Sequence, residues 1–350
     1  MKQGIIKTGL MSFGMSGRVF HAPFITTHPQ FELTAISERS KNLSATLYPD
    51  ARIVRSISEL LAQDDIELVV VNTPDLTHYE YAKMALEAGK HVIVEKPFTL
   101  TTAEGRELIE SARSRGLMLC VYQNRRWDAD FLTVREILEH GLLGRLVEYE
   151  AVYARYRREI VPNTWKEQES GLIYNLGSHI IDQCVSLFGS PEAVFADIAT
   201  MRDGGRVDDY FILHLLRCSL APDLRVTLKA GYLMRRQEPR FVLHGTNGSY
   251  VKYGVDPQEE MLKTGAIPLG ENWGLEPEND WGTLVNDTFD GRYPSAQGHY
   301  ARFYEAVYER LRKDTPHPVE ACNVLPVVSI IEAAIQSSKT GQVIYLNTDK

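Results

Sequence analysis

Three short stretches hold side chains whose types and spacing could do chemistry. In "VIVEKP" (92–97) an apolar, β-branched run ends on Glu95, Lys96 and Pro97. Proline stops a strand and fixes how the chain leaves it. A lysine at the carboxyl edge of a buried parallel strand can stabilise the alkoxide character that develops on oxygen when a carbonyl is reduced or an alcohol oxidised. The plain alternative is an exposed lysine at a strand end. In "GLIYNLGSHIIDQ" (171–183), Asn175, His179 and Asp182 stand at i, i+4 and i+7. That spacing puts all three on one face of a helix. Imidazole is the side chain best suited to take a hydroxyl proton near neutral pH. A lone histidine in an apolar helix is otherwise a hydrogen-bonded core residue, and its alignment with Asn and Asp favours the chemical reading. The third stretch, Ser12-Phe13-Gly14-Met15-Ser16-Gly17, differs from the dinucleotide fingerprint G-x-G-x-x-G only in its first glycine.

The elements that must position these residues follow from hydrophobic periodicity. Ile5–Leu10 reads as a buried strand, and Ser16–Thr26 as the helix after the turn. This is the order the fingerprint requires: Gly14 would let backbone approach a pyrophosphate, and Gly17 would let helix and strand pack closely. Phe31–Ser37 alternates as a strand and ends at Glu38, roughly 20 residues beyond Gly17, where the ribose-binding acid is expected. An ordinary turn carboxylate is the alternative. Arg39 and Ser40 follow directly and could instead hold a 2′-phosphate, so the residues lean towards NAD without excluding NADP. A short strand at 53–54, helix Ile57–Ala62, strand "IELVVVNTP" (66–74), helix Thr77–Ala88, strand 91–97, helix Thr102–Ser114 and strand 117–123 continue the alternation. Strands alternating with helices predict a doubly wound parallel sheet, an α/β Rossmann domain over 1–122.

Beyond this the rhythm changes. After a helix at 129–140, five stretches (145–156, 193–202, 208–216, 224–233 and 240–246) alternate with period two, as in an antiparallel sheet with one solvated face. Helix Tyr174–Leu187 interrupts them. Residues 255–297 read as a long irregular surface loop or interface arm, and helices Tyr300–Lys313 and Leu325–Ser338 close the chain. The second domain, 123–350, is therefore expected to be α+β with a large, open, mostly antiparallel sheet. Whether the last helix packs back on the first domain stays open.

Composition narrows the function classes. The 350 residues suffice for about two domains. A net charge of −8 offers no broad basic face to nucleic acid. No apolar run approaches the roughly 18 residues of a membrane span, and the N-terminus lacks a signal peptide's apolar core. Cys120, Cys184, Cys218 and Cys322 lack metal-ligand spacing, so reduced thiols, no metal and a cytoplasmic location are expected.

Taken together, the turn with "RVFHAPF" (18–24), "NTPDLTHYEYAKMALEAGKHVIVEKP" (72–97), "VYQNRRWDADF" (121–131) and "YNLGSHIIDQ" (174–183) resembles the glucose–fructose oxidoreductase / inositol dehydrogenase / MocA family over nearly the whole chain. Within it, "NRRWD", "ARYR" and "WKE…YNLGSHIIDQ" are similar to the branch of bacterial NADP-linked scyllo-inositol dehydrogenases. The resemblance implies a Rossmann domain joined to an α/β domain whose open sheet often forms an oligomer interface, giving a homodimer or homotetramer. It places the active site between the domains, at the carboxyl edge of the parallel strands. It gives Lys96 the catalytic lysine role and His179 that of general base. It puts Thr73, Pro74, His78, Glu95, Pro97 and Asn124 along the cofactor. Arg126, Trp127, Tyr153, Arg155, Tyr156, Trp165 and Tyr300 are its substrate-side candidates, suited to a polyhydroxylated ring, with packing as the alternative for each aromatic.

Two departures stand out. Many members carry aspartate four residues before the histidine, where this chain has Asn175, which can orient an imidazole but holds no compensating charge. The NADP-linked relatives tend to lack an acid at the Glu38 position, which would repel a 2′-phosphate. The implied activity is NAD(P)-dependent oxidation or reduction at a secondary alcohol of a cyclic polyol or sugar, a small-molecule substrate. A redox-neutral glycoside hydrolase with a tightly held NAD, and a non-catalytic cofactor-binding regulator, are the alternatives. An intact Lys96 and His179 argue against the regulator.

Overall fold

The computed structural model describes residues 4–162, 164 and 167–346. The chain forms two compact units. The first comprises residues up to Asn124 with Gln258–Trp273 and His299–Leu325; the second comprises Arg125–Pro257, Gly274–Gly298 and the residues from Pro326.

In the first unit, β1 (Ile6–Leu10), β2 (Phe31–Ser37), β3 (Arg52–Val54), β4 (Leu68–Val71), β5 (His91–Val94) and β6 (Leu119–Val121) form one sheet in the order β3-β2-β1-β4-β5-β6. All five pairings are parallel. β4 is Leu-Val-Val-Val with every residue buried, as a strand covered on both faces requires. The connections carry α1 (Ala22–Thr27), α2 (Ser44–Leu47), α3 (Ile57–Leu61), α4 (His78–Glu87) and α5 (Thr102–Ser114). Ser56 caps α3 by accepting from the Glu59 N–H, and a Thr101–Glu104 capping box starts α5. The helix after the fingerprint turn opens as a π-helical turn, Gly17–His21, before α1.

The second unit opens with α6 (Ala129–Glu139). Its sheet is built on β7 (Leu146–Ala154), β8 (Pro191–Ala199), β9 (Tyr210–Cys218), β10 (Arg225–Gly231) and β11 (Phe241–Gly245), with α7 (Ser178–Phe188) after β7. β12 (Gly248–Lys252), β13 (Gly282–Asn286), β14 (Asp290–Tyr293) and β15 (Ile344–Tyr345) complete nine strands in the order β14-β13-β12-β11-β7-β10-β9-β8-β15. Only β7 and β10 pair in parallel. β9 alternates buried and half-buried residues along most of its length, the pattern of a sheet covered on one face.

Two expectations change. Residues 255–297 are no irregular excursion: they hold α8 (Gln258–Lys263), β13 and β14. "GTLVN" and "DGRY" escape periodicity because Gly, Asn and Asp dilute the alternation. The first unit takes in α9 (Ala301–Lys313), where Phe303, Tyr304 and Val307 are buried, and the chain as far as Leu325, so it includes the first residues of the last helix. That last helix, α10 (Ala321–Thr340), is long and apolar enough to cross a membrane by length and composition. Half of that apolar stretch is buried in the fold, and Ser337 and Ser338 accept hydrogen bonds from the β8 backbone at Ala196 and Ile198. It behaves as a core helix.

Candidate active site

The fingerprint turn follows β1 at the point where the strand order reverses, between β1 and β4, the place where doubly wound sheets bind ligands. Ser12 stands where the first glycine is usual, and Asn72, after β4, receives it. The Ser12 N–H donates to Asn72 Oδ1, Ser12 Oγ donates to the Asn72 carbonyl, and Asn72 Nδ2 donates to the Ser12 carbonyl, each at 2.9 Å. The serine hydroxyl thus buckles the turn onto β4. A Cβ on Gly17 would lie 2.4 Å from the Ser12 carbonyl oxygen and 2.9 Å from Asn72 Nδ2. Only glycine fits there. A Cβ on Gly14 would meet nothing nearer than Ser12 Oγ at 3.7 Å, so this position faces open space.

That space is a cavity of about 950 Å³, lined by Ser12, Phe13, Gly14, Met15, Ser37, Glu38, Arg39, Thr73 and Pro74. All of these but Ser37 are among the residues that the sequence offers for a cofactor, and they line one surface. Sequence reasoning missed Arg18, Lys41, Arg55, Ser56–Ser58, Thr77 and Tyr81, which line the same cavity. Arg55 and Ser56 follow β3 directly, so the carboxyl end of that short strand was their available signal. A cavity walled by the exposed Gly14, with Arg18 as a nearby cation, has room for a dinucleotide's pyrophosphate.

Glu38 stands in the cavity wall, yet its carboxylate turns away. Oε2 accepts from the Leu43 N–H at 2.9 Å; Oε1 accepts from the Ser44 N–H at 2.9 Å and from Ser44 Oγ at 2.5 Å. Burial raises this carboxyl, but the bonds from Ser44 and Leu43 and the charge of Arg55 outweigh it and hold it below the ordinary range. Arg55 closes the same loop, donating to the carbonyls of Glu38 and Lys41. The acid therefore organises the 38–44 loop.

At the end of β5, Lys96 is half-buried and precedes Pro97 through a cis peptide bond. Glu95, beside it, is buried and accepts from Ser16 Oγ, from His21 Nε2 at 3.1 Å and from the Lys96 N–H at 3.1 Å. Burial would push this carboxyl up; hydrogen bonding and charge from His21, with Ser16 and Lys96, hold it at about 2. His78 is buried with its ring nitrogens 2.7 Å from the Pro97 carbonyl and 3.0 Å from the Thr73 carbonyl. It staples the ends of β4 and β5. Asn124 is buried at the end of this unit's first segment. Tyr300 is fully buried, and its ring lies 6.3 Å from that of Phe24, a packing position.

In the second unit, His179 is buried near the start of α7. Residues Ile173–Gly177 before it form a π-helical turn, so the regular α-helical spacing that aligned Asn175 with His179 does not apply. Asn175 Nδ2 lies 3.4 Å from Tyr232 Oη. The entry to this turn is held by Asp208, whose backbone carbonyl accepts from Leu172 and whose Oδ2 accepts from the Ile173 N–H at 2.7 Å. Gly171, at φ +67°, lies so close to Asp208 that a Cβ would sit 1.9 Å from Oδ1. Burial pushes the Asp208 carboxyl up to about 6 despite these backbone bonds.

Asp182 is committed elsewhere. It accepts from Arg126 Nε and Nη2, both at 2.7 Å, a buried bidentate pair that engages this candidate substrate arginine. Gln183 Nε2 donates to the Arg125 carbonyl, so α7 grips the 124–127 turn at two points. Trp127 is buried. The Tyr153 ring is buried, with the guanidinium groups of Arg240, Arg125 and Arg155 at 4.0, 5.8 and 5.9 Å from its centroid. Tyr156 is exposed beneath Arg235. Trp165 lies outside the described residues.

A parallel sheet of this order with a glycine turn at its switch point is the architecture of a dinucleotide-binding domain. Comparison with known proteins agrees. Residues 6–123 match the model described as oxidoreductase family, NAD-binding Rossmann fold, and residues 135–346 match that of the oxidoreductase family C-terminal alpha/beta domain. The chain belongs to this family, Gfo/Idh/MocA. It is 37% identical to scyllo-inositol 2-dehydrogenase (NADP(+)) IolW of Bacillus subtilis (strain 168), covering 99% of this chain and 97% of that one. It is 28% identical to D-glucoside 3-dehydrogenase of Escherichia coli (strain K12) over 60% of this chain and 63% of that one. A crystal structure of a putative oxidoreductase from Bacteroides fragilis NCTC 9343 shares 60% identity with a TM-score of 0.92, covering 98% of this chain and all of that one.

Proposed function

We propose that the chain transfers hydride between a ring secondary alcohol of a cyclic polyol or sugar and a nicotinamide cofactor. The observation that carries this reading is that the fingerprint turn, whose Ser12–Met15 line the cavity, is tied by Ser16 to Glu95, the residue before Lys96. The named activities of the inositol and glucoside dehydrogenases support the substrate class. When bound, the nicotinamide accepts or supplies the hydride. Lys96 stabilises negative charge on the substrate oxygen, and His179 holds the hydroxyl proton as general base in oxidation and returns it in reduction. Asn175 offers a neutral amide to a substrate hydroxyl or to the imidazole.

The cofactor loop favours a 2′-phosphate. Glu38 spends its carboxylate on the Leu43–Ser44 turn, leaving Arg39, Ser40 and Lys41 to line the cavity. The lean towards NAD rested on a free Glu38 carboxylate, and this geometry supports NADP instead. Four free thiols, three of them buried, support a cytoplasmic location. Exposed Phe195 stacks on His214 on a face of the nine-stranded sheet close to exposed Tyr345, which supports self-association through that sheet. Light scattering of the purified protein tests this, and a monomer would refute it.

A panel of inositols and sugars assayed with NAD and NADP separately, following nicotinamide absorbance, tests the function. We expect turnover of at least one cyclic polyol, faster with NADP, and loss of turnover in Lys96→Ala. Unchanged turnover in that variant would refute the role of the lysine.

A further inference from the structure

His21, in "RVFHAPF", has no part in the proposed chemistry, yet it is fully buried beside it. Its Nε2 lies 3.1 Å from Glu95 Oε1, and its Nδ1 lies 2.7 Å from the hydroxyl of Tyr304 on α9. Its ring packs 4.3 Å from that of Tyr122, whose hydroxyl donates to the Phe20 carbonyl. Tyr304 is itself fully buried, stacked on Phe24 and edge-on to Phe31. The imidazole is therefore fixed at both nitrogens and along its face.

Glu95 receives the far end of this chain. One oxygen takes both Ser16 of the fingerprint turn and His21; the other takes the Lys96 N–H. A single carboxylate thus touches the residue before Gly17 and the backbone of the lysine. The carboxylate also carries charge, and the Lys96 cation helps to keep it ionised.

We infer that His21 and Glu95 are a positioning pair that ties the cofactor turn to Lys96, with Tyr304 holding the imidazole in place. The inference rests on the reading of Lys96 given above. In the pair, Glu95 sets charge and geometry, and His21 sets the orientation of Glu95. Glutamine can replace His21 in kind, because its amide N–H₂ can donate to Glu95 while its carbonyl accepts from Tyr304. Leucine can do neither.

Two readouts that need no substrate test the pair in the full chain. The first is the rate at which acetic anhydride acetylates Lys96, read by peptide mass spectrometry against exposed lysines as internal standards. The second is the NADPH dissociation constant from nicotinamide fluorescence. For Glu95→Gln we expect Lys96 labelling to rise several-fold, because the lysine loses the carboxylate beside it, and NADPH to bind several-fold more weakly. His21→Leu should show both effects more weakly, and His21→Gln should restore both to within about twofold of the parent. Labelling and affinity within twofold of the parent in both Glu95→Gln and His21→Leu would overturn the inference. So would equal effects of His21→Leu and His21→Gln, a comparison that remains if Glu95→Gln fails to fold. Turnover by Lys96→Ala separately decides the reading of the lysine.

Discussion

The fingerprint turn and the start of α7 present two kinds of candidate site. In the turn, chemistry depends on backbone, and the residues that matter are those that let backbone approach: Gly14 facing open space and Gly17 pressed on Ser12 and Asn72. Around α7 it depends on side chains whose direction is settled by neighbours far away in sequence. Asn175, His179 and Asp182 share spacing in the sequence, but a π-helical turn and a buried arginine give each a separate role. Backbone sites can be read from glycines in order; side-chain sites require knowing which partners are already engaged.

The largest effect on cofactor binding, and the one that would break this contrast, lies at Gly17. Its Cβ space is filled by the Ser12 carbonyl, which is backbone and cannot rotate aside. Gly17→Ala should cost about 2–3 kcal/mol of stability and weaken NADPH binding about a hundredfold. Denaturant melts and a fluorescence titration would measure both. An alanine variant with parental affinity would mean that the turn does not depend on close approach.

Arg126 probes the other region. If it contacts substrate only, Arg126→Ala should raise KM and leave stability alone. The bidentate pair predicts the reverse: removing the guanidinium strands a buried Asp182 and should cost about 3–5 kcal/mol in urea unfolding. The double variant Arg126→Met with Asp182→Leu should recover much of that loss.

These two regions also mark how far sequence carries. The parallel sheet was legible because β-branched runs such as Leu68–Val71 admit few other readings, and the fingerprint because its glycines sit between a strand and a helix. Lys96 was legible as the residue after a buried strand. The inward turn of Glu38 was not: only the folded 38–44 loop shows that Leu43 and Ser44 take its oxygens. The pairing of Asp182 with Arg126, 56 positions earlier, was equally out of reach. β13 and β14 went unseen because short strands rich in Gly, Asn and Asp become strands only when neighbours pair with them, and the five residues of β12 are too few to show a period by themselves.

Asp208 sharpens the contrast through pH. Its folded-state carboxyl titrates near 6 against an ordinary 3.8, so the native state resists its ionisation. Below the ordinary value both states are protonated and nothing is lost. As pH rises towards 6 the unfolded state ionises first and stability falls, levelling off above 6 at a cost of up to about 3 kcal/mol. Asp208→Asn keeps a carbonyl oxygen for the Ile173 N–H. It should therefore stabilise the protein by about 2–3 kcal/mol at pH 8 and by almost nothing at pH 3.5. Equal effects at the two pH values would place the gain elsewhere.

The smallest effect is expected at Ser12, the residue that spoils the fingerprint. Glycine there would restore the usual pattern and remove the hydroxyl that donates to the Asn72 carbonyl. The two backbone-level bonds, Ser12 N–H to Asn72 Oδ1 and Asn72 Nδ2 to the Ser12 carbonyl, do not need the side chain. Ser12→Gly should thus cost about 1 kcal/mol of stability and change NADPH affinity by less than about threefold. If affinity instead fell as far as in Gly17→Ala, the hydroxyl would belong to the ligand rather than to the turn. The backbone site would then depend on a side chain after all.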